Sequence, residues 1–299
     1  MDDIVADVDI VCANYNNAQF LREFFDSIVA STVRPRAVIF VDDGSVDDSV
    51  AIANEYLTVI DGLRVIELGQ NEGFGNALNV GVQASNAKYI MRADPDDIVH
   101  EERIEKQVRL LESGKFDVVG SNALIFHSGT RKALGRTNFP FSHDDIGRRF
   151  EDGEHGVLHA TVMMKAELLK NNLYKQENVP AEDYDVFARI YQSGARFANV
   201  PDCFIFYRVH PNSASNILPF STILKTYALR DSLFKKRTRY IKIVLYYIHH
   251  KCYRKYLFAT KVPSRLFFGS ISIMFYPSKL VRRVRSKAYQ HRMARRQWR

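Results

Sequence analysis

Short apolar runs alternate with amphipathic stretches through the first 120 residues, and the two periods separate strands from helices. Residues 8–13 read as a buried first strand that stops at the polar turn Asn14-Tyr15-Asn16-Asn17. Phe20, Leu21, Phe24, Phe25, Ile28 and Val29 then recur at helical spacing, and Pro35 follows the stop. Residues 37–41 predict a second strand, 49–56 a short helix, 63–68 a third strand, and 76–84 a helix entered through the Gly73-Phe74-Gly75 turn. A fourth strand is expected over 88–92, a helix over 101–112 on Ile104, Val108, Leu110 and Leu111, and a further strand over 118–120. Strands and helices alternating at this interval imply a parallel sheet with right-handed crossovers.

Residues 121–160 lose the rhythm, and their polar and Gly-rich stretches predict loops and a short hairpin. Residues 162–169 read as an edge strand running into a helix, 184–192 as a helix, and 204–207 as a strand ending at Arg208-Val209-His210. From Ile223 onward the pattern is helical, broken at Pro263 and Pro277, with His249 and His250 expected at the surface. The division that results is an α/β domain over residues 1–222 and a helical extension over 223–299.

Candidate chemistry sits where the apolar runs stop. Val41-Asp42-Asp43-Gly44-Ser45 and Arg92-Ala93-Asp94-Pro95-Asp96-Asp97 both follow strands, so their carboxylates collect at the carboxyl end of one sheet, where α/β folds place ligands. Asp42 and Asp43 suit a base N–H or ribose hydroxyls, and a helix-capping Asp-Gly-Ser turn is the structural alternative. Asp94, Asp96 and Asp97 bring three carboxylates within four residues. Like charges that close raise one another's pKa unless a cation neutralises them, as a hard divalent ion with oxygen ligands does. A solvated acidic turn is the competing account. In Ala181-Glu182-Asp183-Tyr184 the acids stand at the start of an amphipathic helix, placed either to cap it or to act as a general base. His210, beside Arg208, could contact a diphosphate or complete a metal shell, and His159 is a weaker acceptor-site candidate.

Charge changes the picture at the C-terminus. Residues 225–299 carry 21 Lys and Arg against a single acid, Asp231, whereas residues 1–224 hold 33 Asp and Glu against 21 Lys and Arg. The net charge of +8 therefore joins an acidic body to a basic tail. The three cysteines, Cys12, Cys203 and Cys252, are far apart in apolar surroundings and suggest neither a disulfide framework nor a zinc site, which fits a reducing cytoplasm. The acidic start of the chain reads as no signal peptide, and no run reaches the roughly 18 apolar residues of a spanning helix.

Taken together, the motifs resemble a family 2 glycosyltransferase of the GT-A fold, inverting and of the bacterial envelope-polysaccharide type. The similarity runs from about residue 8 to residue 215. It comprises the Tyr15-Asn16 turn, Val41-Asp42-Asp43-Gly44-Ser45-Val46-Asp47, Asn71-Glu72-Gly73 leading to Ala77-Leu78-Asn79-Val80-Gly81, the Asp94-Pro95-Asp96-Asp97 motif, Ala181-Glu182-Asp183-Tyr184-Asp185, and Tyr207-Arg208-Val209-His210. The resemblance implies an α/β, Rossmann-like fold with a mixed, mostly parallel sheet flanked by helices, residues 1–120 forming the nucleotide-sugar half and 121–222 the acceptor half. It implies metal-dependent transfer from a nucleotide-diphosphate sugar, a UDP-sugar by default, to a hydroxyl of a saccharide acceptor. On that pattern Ala13, Tyr15, Asp42 and Asp43 hold the nucleoside, while Asn71, Gly73, Asn79, Arg92, Asp94 and Arg208 complete the nucleotide-sugar site. Asp94 and Asp96 form the acidic pair at the ribose and metal, Asp97 supports the Mn2+ or Mg2+, and Asp183 is the base with Glu182 as second choice; His210 stays a candidate for the metal shell or the diphosphate. Pro95 departs from the small residue usual there; it fixes its own φ and pushes Asp94 toward an extended conformation, stiffening the loop.

The tail interleaves Ile241, Ile243, Val244, Leu245, Tyr246 and Tyr247, then Leu266, Phe267, Phe268, Ile271, Ile273, Met274, Phe275 and Tyr276, with its bases. Such runs suit helices lying in a membrane interface, with Lys and Arg against anionic headgroups. This predicts a cytoplasmic protein, peripheral on the inner face of the cell membrane through residues 225–299, acting on a polyprenyl-linked acceptor and binding no nucleic acid. A helical dimer interface or a disordered terminus is the bland account of the tail. Two other functions compete. A sugar-nucleotide pyrophosphorylase would carry a Gly-rich basic loop after strand one, where Asn14-Tyr15-Asn16-Asn17 stands, and a non-catalytic basic adaptor binding membrane or nucleic acid would carry broken acidic motifs.

Overall fold

Four apolar runs become four parallel strands because each is followed by a helical crossover that returns the chain to the same edge, the inner three being buried on both faces. The computed structural model describes residues 4–210, 219–259 and 261–277, and the chain divides into two compact units, residues 1–213 and 214–299. In the first unit β1 (Val5–Asn14), β2 (Arg34–Asp42), β3 (Leu63–Glu67) and β4 (Tyr89–Arg92) pair in parallel in the order β3-β2-β1-β4. The register sets Asn14 opposite Asp42 and Val11 opposite Arg92, so the two acidic motifs leave the sheet at the same edge.

The second half of the sheet holds β5 (Ile98–Val99), β6 (Val118–His127), β7 (Ala133–Arg136), β8 (Met163–Lys165) and β9 (Phe197–Val209). Among the described residues the sheet has nine strands in the order β3-β2-β1-β4-β8-β6-β9-β5, with β7 paired to β6. β8 is antiparallel to both β4 and β6, whereas β6 and β9 run parallel. The expectation of an edge strand at 162–169 is therefore corrected: β8 lies at the centre of the sheet, and its three residues are too few to display a burial period. Residues 121–160 hold the expected hairpin, β6 with β7, and also a helix, α5 (His143–Glu151), which the polar pattern concealed. Ser142 caps that helix by accepting the Asp145 N–H at 3.2 Å and donating to the Asp145 carboxylate at 2.8 Å.

Helices cover both faces. α1 (Ala18–Val29) and α2 (Ser49–Glu55) bury Leu21, Phe24, Phe25, Ile28, Ile52 and Ala53 against Val8, Ile10 and Cys12 of β1 and Val38 and Phe40 of β2. Each Leu, Ile, Val or Phe among them contributes on the order of 1.5–3 kcal/mol on leaving water. The alternate residues Val11, Ile39 and Val41 face Gly81 of α3 (Phe74–Ala84) on the opposite side. α4 (Arg103–Glu112), α6 (Ala166–Lys170) and α7 (Glu182–Gln192) complete the layers.

The second unit contains α8 (Phe220–Leu233), α9 (Tyr240–Phe258) and α10 (Val262–Phe275). Ile223, Tyr227 and Ile243 form its core. His249, expected at the surface, is buried at 2 % exposure and bonds Ser272 through Nδ1, so α9 and α10 are joined by a polar contact that no periodicity reveals. The helical pattern is interrupted ahead of Pro263 as expected: α9 ends at Phe258, and Pro263 occupies the first turn of α10, where its missing N–H has no partner to lose. No helix of the described residues is long and apolar enough to cross a membrane. The basic run from residue 278 and the end of the family-like stretch at 211–215 lie outside the described residues.

Candidate active site

At the ends of β1 and β2 the carboxylates are occupied by the chain itself. Asp42, 2 % exposed, accepts the Asn14 amide (2.8 Å) and the Ser45 hydroxyl (2.6 Å) on Oδ1 and the Ser45 N–H (2.8 Å) on Oδ2. Asp43 accepts the N–H groups of Glu72 (2.7 Å) and Gly73 (3.0 Å), one on each oxygen. The turn needs Gly44: its φ is +75°, and a Cβ there would lie 2.6 Å from the Gln70 carbonyl carbon. The first motif thus ties the 44–45 turn and the 71–73 loop into one concave rim. Tyr15 stands half exposed beside it and Ala13 is buried beneath.

The second motif is built differently. A turn closed by the Asp97 N–H on the Asp94 carbonyl (3.1 Å) carries Pro95 at its second position, where the fixed φ is already the one required. The turn sets one ligand atom each of Asp94, Asp96 and Asp97 within 4.8 Å of one another. Asp97 is 1 % exposed; its Oδ1 accepts the Arg208 N–H (2.8 Å), and its Oδ2, also buried, has no hydrogen-bond partner among the described residues. Burial, reinforced by the charges of Asp96 and Asp94, holds the Asp97 carboxyl well above its ordinary value. Burial raises Asp94 as well, against the pull of Arg92. His210 Nε2 lies 3.1 Å from Asp96 Oδ2. An orphaned carboxylate oxygen in a cluster of three acids and an imidazole is a donor set suited to a hard divalent cation.

Three arginines surround this loop. Arg92, 2 % exposed, donates to Asp94 and lies 5.2 Å from the Phe74 ring centroid. Arg208, 3 % exposed, donates to Glu23 and to the Asp96 carbonyl (2.6 Å), its guanidinium between the rings of Phe20 (4.8 Å) and Phe126 (4.9 Å). Its head group therefore reaches the acid loop through that loop's backbone. Arg103, fully buried on α4, bonds the Arg92 carbonyl (2.8 Å) and Gln107 (2.9 Å), and burial together with the Arg92 charge pulls its pKa down to about 9.

α7 presents its acids in its first turn. Asp183 Oδ1 accepts the Tyr184 N–H (2.7 Å), which leaves Oδ2 turned to the His155 Nδ1 at 3.5 Å, with the Asp183 side chain 28 % exposed. Glu182 is buried. Asn79 does not point into open space: its amide exchanges two hydrogen bonds of 2.8 Å with the backbone of Tyr174. The Tyr174 hydroxyl in turn meets His159 Nε2 at 2.8 Å. Asn71 is exposed and Gly73 half-buried at the rim.

The fold brings Asp42, Asp43, Arg92, Asp94, Asp96, Asp97, Arg208 and His210 to one edge of the sheet. Sequence reasoning overlooked His155, Tyr174 and Arg103. For Arg103 and Gln107 a signal existed, since both stand one turn apart on the core side of α4 with Ile104 and Leu111. His155 and Tyr174 gain their partners only through tertiary contacts.

Comparison with known proteins agrees with this fold. Residues 9–173 match glycosyl transferase family 2. The amylovoran biosynthesis glycosyltransferase AmsE of Erwinia amylovora is 28% identical over 238 residues, covering 79% of this chain and 88% of AmsE. Among solved structures, residues 1–349 of S. aureus TarS in complex with UDP-GlcNAc superpose with a TM-score of 0.61 at 16% identity, covering 90% of this chain and 80% of that one. The mannosyltransferase PcManGT of Pyrobaculum calidifontis, in complex with GDP-Man and Mn2+, gives 0.57 at 15% identity, covering 93% and 85%. These likenesses share the fold, and the match over 9–173 assigns the chain: it belongs to glycosyl transferase family 2 and is a glycosyltransferase.

Proposed function

We propose that the protein transfers a sugar, with inversion, from a nucleotide-diphosphate sugar, by default a UDP-sugar, to a hydroxyl of a lipid-linked saccharide in envelope polysaccharide synthesis. The observation that carries the reading is the buried, partnerless Asp97 oxygen within a triad of carboxylates at the sheet edge that also holds the Asp42–Asp43 rim. Asp94, Asp96 and Asp97, with His210, would hold Mn2+ or Mg2+, which supplies positive charge to the leaving diphosphate. Asp42 and Asp43 each keep unused lone pairs beyond the bonds they accept, available to a base N–H or ribose hydroxyl between Ala13, Tyr15, Asn71 and Gly73. Asn79 and Arg208 act on the nucleotide sugar through the segments they hold.

In the transfer step the acceptor oxygen bonds to the anomeric carbon as the bond from that carbon to the diphosphate breaks, and the leaving diphosphate keeps the electron pair. Asp183 Oδ2 takes the acceptor proton, for which it must be ionised and within hydrogen-bond reach. Glu182, buried beside it, orients the base helix and is the second choice as base. Attack opposite the leaving group turns an α-linked donor into a β-linked product. The test is turnover of UDP-, GDP- and dTDP-sugars: one nucleotide class should be consumed with Mn2+ and acceptor present, and failure of all three to turn over contradicts the reading.

Attachment to an anionic membrane surface through residues 225–299, at the inner face of the cell membrane, completes the proposal. Exposed Leu266, Phe267, Ile273 and Met274 of α10 and a tail with one acid support it. Each base near such a surface contributes on the order of 1 kcal/mol. Co-sedimentation with anionic vesicles should be lost when residues 225–299 are removed; retention would refute the attachment.

A further inference from the structure

A donor sugar has to reach from a diphosphate at the acid loop to a position where its anomeric carbon faces Asp183. One hydrogen-bonded pair lies in electrostatic reach of both ends. Burial chiefly pushes the Tyr174 hydroxyl up, and the charges of Arg92 and Asp94 on one side and of Asp183 and Glu182 of the base helix on the other act on it as well. It is bonded to His159 Nε2 at 2.8 Å. The His159 ring meets Tyr174 edge-on at 5.5 Å, Phe187 at 5.7 Å and Phe74 at 6.0 Å, and Phe74 in turn carries Arg92 over its face.

We propose that Phe74, His159 and Tyr174 form the subsite for the transferred pyranose, with the His159–Tyr174 pair reading one of its hydroxyl groups; this rests on the glycosyl-transfer reading above. The chemistry fits an uncharged polyol. If His159 Nε2–H donates to the tyrosine oxygen, the phenolic hydrogen remains to donate and Nδ1 to accept; if the phenol donates to Nε2, Nδ1–H donates and the phenolic oxygen accepts. Either tautomer offers one donor and one acceptor, the complement of a sugar hydroxyl. Among the described residues neither Nδ1 nor the Tyr174 hydroxyl has another hydrogen-bond partner. Burial and the Arg92 charge hold His159 well below its ordinary pKa, so it stays neutral and keeps one donor and one acceptor nitrogen.

The pair is also fixed before any ligand arrives. Tyr174 is 4 % exposed, its backbone is gripped by Asn79 through two bonds of 2.8 Å, and Arg189 of the base helix donates to the Leu173 carbonyl at 2.7 Å. A site held in this way loses little entropy on binding. It also couples the nucleotide-side helix α3 to the base helix α7 across the sugar.

The experiment separates the sugar from the nucleotide. Calorimetry with Mn2+ compares UDP, GDP and dTDP with their glucose and N-acetylglucosamine conjugates, in the intact protein and in Tyr174→Phe and His159→Asn. Tyr174→Phe keeps the ring and removes one oxygen, and equal melting temperatures confirm its fold. The expected result is an unchanged dissociation constant for the free nucleoside diphosphate and roughly tenfold weaker binding of its sugar conjugate, the loss of about one hydrogen bond. Parallel changes in both ligands, or no change in either, overturn the subsite. Absence of nucleotide binding by the intact protein removes the glycosyl-transfer reading itself, and the subsite with it.

Discussion

The same residue type does opposite work at two places on one sheet edge. Asp42 and Asp43 have every carboxylate oxygen occupied by donors from Asn14, Ser45, Glu72 and Gly73, and they make structure: a turn and a loop become a rim. Asp94, Asp96 and Asp97 crowd together with a buried Asp97 oxygen unpartnered and the acidity of Asp94 and Asp97 suppressed by burial. A carboxylate satisfied by the chain stabilises the fold, whereas one left unsatisfied in the interior costs stability unless a ligand completes it. Motif spelling cannot distinguish the two, because both are strand-end aspartates. The distribution of N–H donors can.

The contrast can be broken or sharpened by substitution. The largest effect belongs to neither motif: Asp183→Asn should lower the transfer rate about 10²- to 10⁴-fold while leaving nucleoside diphosphate affinity intact, since only proton transfer is removed. Loss of nucleotide binding in that variant would place Asp183 in the donor site instead. Between the motifs, Asp43→Ala leaves two backbone donors unpaired and should destabilise the metal-free protein by about 2–4 kcal/mol in denaturant titration. Asp96→Ala relieves repulsion in the acid loop while giving up the 3.1 Å contact to His210, and should cost clearly less stability than Asp43→Ala. Equal losses in the two variants would erase the distinction.

The smallest effect carries a sign. The carboxyls of Asp97 and Asp94 are raised above 3.8, so between that value and their folded values the native state holds protons that the unfolded state has released. Stability of the metal-free protein is therefore greatest below the unfolded pKa and falls as pH rises through the folded one. Asp97→Asn keeps the oxygen that accepts the Arg208 N–H and removes the charge, so its metal-free melting temperature near pH 7 should exceed that of the unaltered protein. A gain of 1 kcal/mol corresponds to roughly 2–4 °C in a unit of this size. A lower melting temperature would contradict the crowding argument.

The first half of the fold was legible because parallel strands covered on both faces are written as apolar runs, and each run ends at the residue that faces the ligand edge. Asp42 and Asp94 could be found because they stand at such run ends, whereas Asp183 stands in the first turn of an amphipathic helix. β8 could not, being three residues long, nor could its place between β4 and β6, which depends on pairing rather than pattern. α5 was hidden by its charged face, although Ser142 and Asp145 three residues on did announce its start. Residues whose role arises from a distant partner were invisible: Tyr174 from Asn79 and His159, His155 from Asp183, and His249 from Ser272. Patterning places elements, and only their assembly pairs the polar groups they carry.

Calorimetric titration of UDP, GDP and dTDP with and without Mn2+, in the unaltered protein and in Asp96→Ala, tests most directly whether the acid loop is a cation site for a diphosphate. One nucleotide should bind at least about tenfold tighter with Mn2+, on the scale of a lost or gained charged contact, and Asp96→Ala should abolish that difference. Equal affinity with and without Mn2+, or a metal-dependent gain that survives in Asp96→Ala, would contradict it.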